Sequence, residues 1–367
     1  MIAILLVLVS CAPKPKEEVV QSKDEQNDTD KSIVPSYQLS DETYKMLLPF
    51  RPSKARGVIT EQMGNRLDIN EVEEGLRRHS TSVFSPDDYY FEEGQYITRE
   101  MLMKEEEGII DALNPDRDSR YQSEEEAEEN TRFFSHVIEQ NYLEKKSDNS
   151  VELKGVSIGI ALKSVYRFQT EEGGPYYYQD IPFEDVQEQG TEVAQSLLEQ
   201  LRQIEGLEDV DIMIALYREA EYSSPVPGHF FAKTTVEGSD MKIKDWEEIN
   251  ENHVLFPSEQ GKEDYPEEND LLVELGEEID TYFPNYVGYI GEGFYENNEL
   301  KKMTIEIPIE FYGESEVIGF TQYLYSLVEK LFPDNYDVEV KIQSDERMES
   351  FIYKEAGSDE PVIHIFH

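Results

Sequence analysis

Hydrophobic positions change their spacing three times along this chain of 367 residues. Residues 2–9 form an unbroken apolar run, and residues 12–35 show no periodicity at all. From Tyr37 apolar content rises and helical spacing sets in. It predicts a helix over 69–79 with Val72 and Leu76 on one face, a second acidic helix over 98–113 ended by Asn114-Pro115, and a third over 124–142 with Phe133, Phe134, Val137 and Ile138 inward. At Val151 the pattern turns to alternation. A strand over 155–168, a helix over 183–204 carrying Val186, Val193, Leu197 and Leu201, and strands over 210–216 and 230–236 follow in order, closing on Gly238-Ser239-Asp240.

The C-terminal segment repeats that order. It predicts a strand over 303–311, a helix over 315–332 with Ile318, Tyr325 and Val328, strands over 336–342 and 351–354, Gly357-Ser358-Asp359, and a last strand over 362–366. Phe231-Ala232-Lys233 and Ile352-Tyr353-Lys354 stand at matching points. The fold class is therefore α+β, with two related β-α-β-β modules. The expected organisation is a signal segment at 1–10, a disordered tether at 11–35, a helix-rich region at 36–150 packing on the first module at 151–245, an acidic linker at 246–283, and the second module at 284–367. The linker reads as a Pro/Glu/Asp-rich loop over 257–270 and a short helix over 271–282.

The apolar run at 2–9 is too short to span a bilayer, which takes about 20 residues, and it stops at Ser10-Cys11-Ala12. Leu8-Val9-Ser10-Cys11 has the lipobox pattern: an aliphatic residue three positions before Cys, a small residue just before it, and the Cys that receives a lipid. Cys11 is the only cysteine, so no disulfide framework competes for it. No Lys or Arg precedes the run, which points to a start further upstream.

Charge narrows the partners. With 80 acidic against 33 basic residues and a net charge of −47, the surface has no basic footprint for nucleic acid and is repelled by anionic lipid. The acidic residues are spread along the chain, so they read as a solvated surface rather than a substrate signal. Membrane attachment is then expected from a lipid on Cys11, with the body on the extracytoplasmic face.

Several motifs carry chemistry on paper. Gly155-Val156-Ser157-Ile158-Gly159 matches a nucleophile elbow, but alternation runs on through Ile160 and Leu162, which puts Ser157 inside a strand. Gly288, Gly291 and Gly293 lack the Lys-Ser/Thr of a phosphate loop. Asn114, Asp116, Asp118 and Glu125 fall at oxygen-ligand positions of a calcium loop, with Ser119 in place of the required glycine. The histidines show no paired metal-ligand spacing, and no cofactor is implied. The Tyr176-Tyr177-Tyr178 run reads as core before groove. Basic groups are scarce yet concentrate at Arg51, Lys54 and Arg56, with Arg66-Leu67-Asp68 close behind. Arg51, Arg56, Arg66 and Asp68 are therefore the candidate binding residues, each arginine expected on a carboxylate or a bound anion.

Leu48-Pro49-Phe50-Arg51-Pro52-Ser53-Lys54-Ala55-Arg56-Gly57, Asn65-Arg66-Leu67-Asp68-Ile69, Glu74-Gly75-Leu76, Phe84-Ser85-Pro86-Asp87, Glu93-Gly94-Gln95-Tyr96 and Gly288-Tyr289-Ile290-Gly291-Glu292-Gly293 together resemble the CamS family, lipoproteins of low-GC Gram-positive bacteria known as sex-pheromone precursors. The resemblance implies two related repeat domains and a short apolar peptide released from just before the lipidated Cys. By position that peptide is Ile4-Leu5-Leu6-Val7-Leu8-Val9-Ser10. It supplies no catalytic residues. The expected body is a module binding a peptide or envelope component; the alternative is an envelope hydrolase working through Glu/Asp carboxylates.

Overall fold

The computed structural model describes residues 18–23, 29–34, 43–56, 65–66, 68–103, 109, 113, 123–147, 150–171, 173–283, 288–310 and 313–366. Cys11, the segment 4–10 and the calcium-loop positions Asn114, Asp116 and Asp118 lie outside them.

The first module consists of α1 (Ile69–Ser80), β1 (Tyr90–Glu93), β2 (Phe134–Lys145), β3 (Val151–Leu162), α2 (Phe183–Leu201), β4 (Asp211–Arg218) and β5 (His229–Val236). Its sheet runs Glu247–Glu248, β5, β4, β3, β2, β1, Lys45–Met46. The second module consists of β6 (Glu251–Phe256), α3 (Pro266–Tyr282), β7 (Ile290–Glu296), β8 (Glu299–Pro308), α4 (Glu314–Leu331), β9 (Asp337–Gln343), β10 (Met348–Lys354) and β11 (Val362–Ile365), with its strands side by side in chain order. In each, an antiparallel hairpin leads through one helix to a parallel neighbour, β3 to β4 and β8 to β9, as a crossover connection requires.

The duplication reaches down to single residues. Gly155 pairs with Asp211 and Lys302 with Asp337 at the first rung of the two parallel ladders, which sets the correspondence. Each hairpin then carries a bulge at the same place: Tyr142 pairs Gly155 and Leu143 skips to Leu153, while Phe294 pairs Lys302 and Tyr295 skips to Leu300. The skipped residues are Lys154 and Lys301, each 2.8 Å from the glutamate two positions earlier, Glu152 or Glu299. Asp211 Oδ1 accepts from the Gly238 N–H at 2.8 Å, and Asp337 Oδ1 from the Ala356 N–H at 2.7 Å. Lys233 and Lys354 are not counterparts: Lys233 pairs Ala215, whereas Lys354 pairs Val338, whose equivalent Ile212 pairs Val236.

Helix α2 buries Val186, Val193, Ala194, Leu197 and Leu201, a stripe of period close to 3.6, against Val156, Ile158, Ile160, Ile212, Ile214 and Leu216. On the opposite face α1 lays Val72 and Leu76 over Ala161, Met213, Ala215 and Tyr217. The second sheet packs one face on α3 and α4 through Leu272, Leu275, Phe320, Leu324 and Val328. Burial at about 25 cal/mol per Å² makes these three stripes the main stabilising contribution.

Three expectations fail locally. The predicted helix over 124–142 is a helix only over Glu124–Glu129, and 134–145 is strand β2. Phe134, Val137 and Ile138 mimic a helical face because β2 is an interior strand with both faces covered, which erases alternation. The stretch expected as an acidic linker supplies β6, a helix over Glu259–Asp264 and α3, all packed into the second module; Ser258 caps the first of these helices through Gly261 N–H, a signal hidden by the acidic composition. Within the expected tether, Glu18–Lys23 pairs with Thr29–Val34, and Ile33 exchanges backbone bonds with Leu48, so that Val34 is buried beside Leu47, Leu143 and Val151. Of the acidic helix expected over 98–113, Arg99–Met103 is helical, with Leu102, Ile109 and Leu113 buried on the α2 face.

Candidate functional site

Helix α1 is wedged between the modules, and its two polar faces meet different surroundings. Ile69, Glu73 and Arg77, spaced four apart, face a cavity of about 190 Å³. Glu71 and Arg78, seven apart, face the second module.

The cavity is closed by α1, by Phe91 and Glu93 of β1, by residues 136–140 of β2, and by Met46 and the turn bearing Ser53, Ala55 and Arg56. One of the sequence candidates, Arg56, lines it, and Arg51 stands beside it on the neighbouring glutamate of β1. Arg51 binds Glu92 through Nε at 2.7 Å and Nη2 at 2.6 Å. Arg56 binds the next residue, Glu93, whose Oε2 also accepts the Ser53 N–H at 2.6 Å. Arg66 and Asp68 form a separate pair, 2.7 Å apart, with Arg66 Nη1 also donating to the Ser224 carbonyl at 3.1 Å. The candidates thus form two clusters, not one site.

Sequence reading passed over the residues that stand open in the cavity. The side chains of Glu73 and Arg77 make no hydrogen bond or ion pair among the described residues, although Glu four positions before Arg is the favourable order on a helix. The Arg77 guanidinium lies 5.9 Å from the Phe91 ring centroid. Burial, then the charge of Glu93, pushes the Glu73 carboxyl up. His136 holds Glu219 and Ser135 through Nδ1, at 3.1 and 2.9 Å, and its buried Nε2 has no hydrogen-bond partner among the described residues. The apolar lining side chains on this face are Met46, Ile69, Phe91 and Ile138.

On the other face of α1, Arg78 Nη2 and His79 Nε2 lie 2.7 and 2.8 Å from the same Glu251 Oε1, while Glu251 Oε2 accepts the Phe230 N–H at 3.2 Å. Burial alone would raise the Glu251 carboxyl, but His79 and Arg78 bring it down to about 2. Arg78 also lies 4.5 Å above the Phe294 ring. His253 contacts Glu292 at 2.8 Å and Glu71 at 3.7 Å, and these carboxylates overcome its burial and raise it to about 9. His79, Glu251 and Glu296 bring potential ligand atoms within 4.8 Å of one another. Because Arg78 already occupies Glu251 Oε1, the chemistry here is an ion-pair network joining the modules.

Ser157 is fully buried in β3 and accepts from Ser80 Oγ at 2.7 Å, so the Gly-x-Ser-x-Gly pattern is no elbow. A Cβ on Gly155 would stand 2.0 Å from the Phe84 ring; the glycine is there for close packing. Glu125, from the calcium-loop frame, is exposed on the helix Glu124–Glu129. A second cavity of about 480 Å³ lies at the carboxyl ends of β8 and β9, between Glu310 and Asp345. The equivalent place in the first module is closed around Lys163 and Glu219, both buried, with burial lowering the lysine to about 8.

The profile of the CamS sex pheromone cAM373 precursor family matches residues 50–360. Among solved structures, a sex pheromone precursor from Lactobacillus salivarius subsp. salivarius UCC118 is similar at 27% identity and a TM-score of 0.81, over 90% of this chain and 98% of that one. The C-terminal domain of the sex pheromone staph-cAM373 precursor from Staphylococcus aureus is similar at 26% identity and a TM-score of 0.67, over 81% and 96%. No curated protein matches.

Proposed function

Because the chain belongs to the CamS sex pheromone cAM373 precursor family, we propose that it is a lipid-anchored protein of the extracytoplasmic face of the cell membrane, that residues 4–10 leave it as an apolar peptide, and that its folded body is a small-molecule binding module. The anchor rests on Leu8-Val9-Ser10-Cys11, in which Cys11 is the only cysteine. No helix among the described residues is long and apolar enough to cross a membrane. A lipid on Cys11 would tether a body whose charge of −47 holds it away from anionic headgroups.

The observation that carries the binding reading is the α1 cavity, an apolar floor with one cation and one carboxyl at its wall whose side chains are unpaired among the described residues. It supports binding over carboxylate hydrolysis. A hydrolase of that kind uses two cooperating carboxyl groups; Glu93 is committed to Arg56 and the Ser53 N–H, and Glu139 to the N–H groups of Gln95, Tyr96 and Ile97, which leaves Glu73 without a second carboxyl to work with among the described residues. Two measurements test the proposal. Wild type is expected in the membrane fraction and Cys11→Ala in the soluble fraction; equal retention of the variant would overturn the anchor. Mass spectrometry of the culture medium is expected to find a peptide ending at Ser10, and its absence from a producing strain would overturn peptide release.

A further inference from the structure

Resting on the reading of the α1 cavity as a binding site, we infer that its ligand is a zwitterionic α-amino acid with a branched apolar side chain, its carboxylate on Arg77, its ammonium on Glu73 and its side chain against Met46, Phe91 and Ile138. Size is the first constraint. At about 190 Å³ the cavity falls below the roughly 300–1,000 Å³ of sites for drug-sized ligands, so the occupant is amino-acid-sized.

Charge is the second constraint. The wall carries two cations, Arg56 and Arg77, against three carboxyl groups, Glu73, Glu93 and Glu139; the Arg56–Glu93 pair cancels itself, and Glu139 is taken up by the N–H groups of Gln95, Tyr96 and Ile97. What remains is one guanidinium and one carboxyl whose side chains make no hydrogen bond or ion pair among the described residues, one helical turn apart on the same face of α1. A simple anion would satisfy Arg77 and be repelled by Glu73; a simple cation would do the reverse. A ligand bearing both charges on neighbouring atoms answers both groups at once. The planar guanidinium offers two parallel N–H donors to a carboxylate, and an ammonium beside Glu73 would offset the burial and the Glu93 charge acting on that carboxyl.

The third constraint is where the apolar surface lies. Glu73 and Arg77 belong to the helix, whereas Met46, Phe91 and Ile138 belong to the strands opposite, so a bound amino acid points its side chain at the sheet. Such burial of a leucine-sized group is the favourable contribution that the charges, already hydrated in the free ligand, do not supply.

Methyl NMR of the full chain, following Met46, Ile69 and Ile138, tests this with four probes: leucine, N-acetyl-leucine, leucinamide and N-acetyl-leucinamide. Leucine is expected to shift these signals and saturate, with each singly blocked analogue at least tenfold weaker. Arg77→Gln is expected to weaken leucine at least tenfold while leaving leucinamide unchanged, and Glu73→Gln to do the same for leucine while leaving N-acetyl-leucine unchanged. If either singly blocked analogue binds as tightly as leucine, the zwitterion assignment is overturned. If only N-acetyl-leucinamide binds, the cavity remains a binding site and the ligand class is wrong. If no probe moves the three methyl signals, both the ligand class and the binding-site reading fall.

Discussion

Ser157 of the first module and Thr304 of the second hold the same place in two copies of one architecture, yet Ser157 is sealed between layers and Thr304 sits on a partly open sheet face. The difference runs along the whole face. Gly155, Ser157, Gly159 and Ala161 on β3, with Met213 and Ala215 on β4, present small or apolar groups under α1 and Phe84. Their counterparts are Lys302, Thr304, Glu306 and Pro308 on β8, with Glu339 and Lys341 on β9. The repeat supplies a sheet covered on one side by its crossover helix; the second layer, α1, comes from outside the repeat. A two-layer unit becomes three-layered where its outer face is stripped of charge and narrowed to glycine, serine and alanine. The α1 cavity divides the two modules along the same line, since it lies where that extra layer does.

The contrast is broken or upheld by one matched pair of substitutions. Ser157→Lys places a charge under α1 with no partner and is expected to cost more than about 4 kcal/mol. Thr304→Lys, beside Glu292, Glu306 and Glu339, is expected to change stability by less than about 0.5 kcal/mol. Native-state hydrogen exchange of β3 and β8 amides reads each module separately. Comparable losses in both would mean that the second sheet's outer face is as closed as the first.

The junction shows how the two layers are locked, and it sharpens the comparison at intermediate size. Arg78→Ala leaves Glu251 buried with one cation fewer and is expected to cost about 3 kcal/mol, measured by urea unfolding. His253, raised to about 9 from an ordinary value near 6.5, stabilises the fold fully below the unfolded value and loses that contribution as pH rises through 9. Unfolding free energy is therefore expected to fall by on the order of 2 kcal/mol between pH 7 and pH 10. A His253→Gln protein should lack this component; an unchanged pH profile in that variant would assign the loss to other groups.

Much of the fold was legible. Alternation around Val156, Ile158 and Ile160, the 3.6 spacing of α2 and α4, and the strand-helix-strand-strand order from β3 to β5 and from β8 to β10 followed from one-dimensional pattern, whereas β6 and β7 did not. The strand β2 was not, because an interior strand covered on both faces loses the alternation that identifies strands. Nor was the full extent of the repeat, although Glu152-Leu153-Lys154 and Glu299-Leu300-Lys301 were a visible signal for it. Arg51, Arg56 and Arg66 could be chosen because cations are rare here, but rarity says nothing about pairing. Arg77 and Arg78 looked alike in sequence; one faces an open cavity and the other a glutamate 173 residues away. Glu251, His253 and Glu292 reach α1 only through tertiary folding, which no spacing rule reports.

The finest test of the duplication concerns a single hydrogen bond in each copy. Asp211 and Asp337 both stand at the first rung of their parallel ladders, and each takes one backbone N–H from the turn that follows the next strand, at Gly238 or Ala356. Those turns contain Gly238 and Gly357, at φ of 49° and 82°, so each aspartate ties down a left-handed turn that carries no apolar anchor. A hydrogen bond to a charged acceptor contributes about 1.5–3 kcal/mol when well shielded and less in water. Both turns are exposed, so Asp211→Ala and Asp337→Ala are each expected to cost about 1 kcal/mol, with the two effects additive because the sites share no partner. Equal costs would mean that the device works independently of how many layers cover the sheet. A cost confined to Asp211 would mean that the covered module alone depends on it, and that the second copy keeps the residue without its effect.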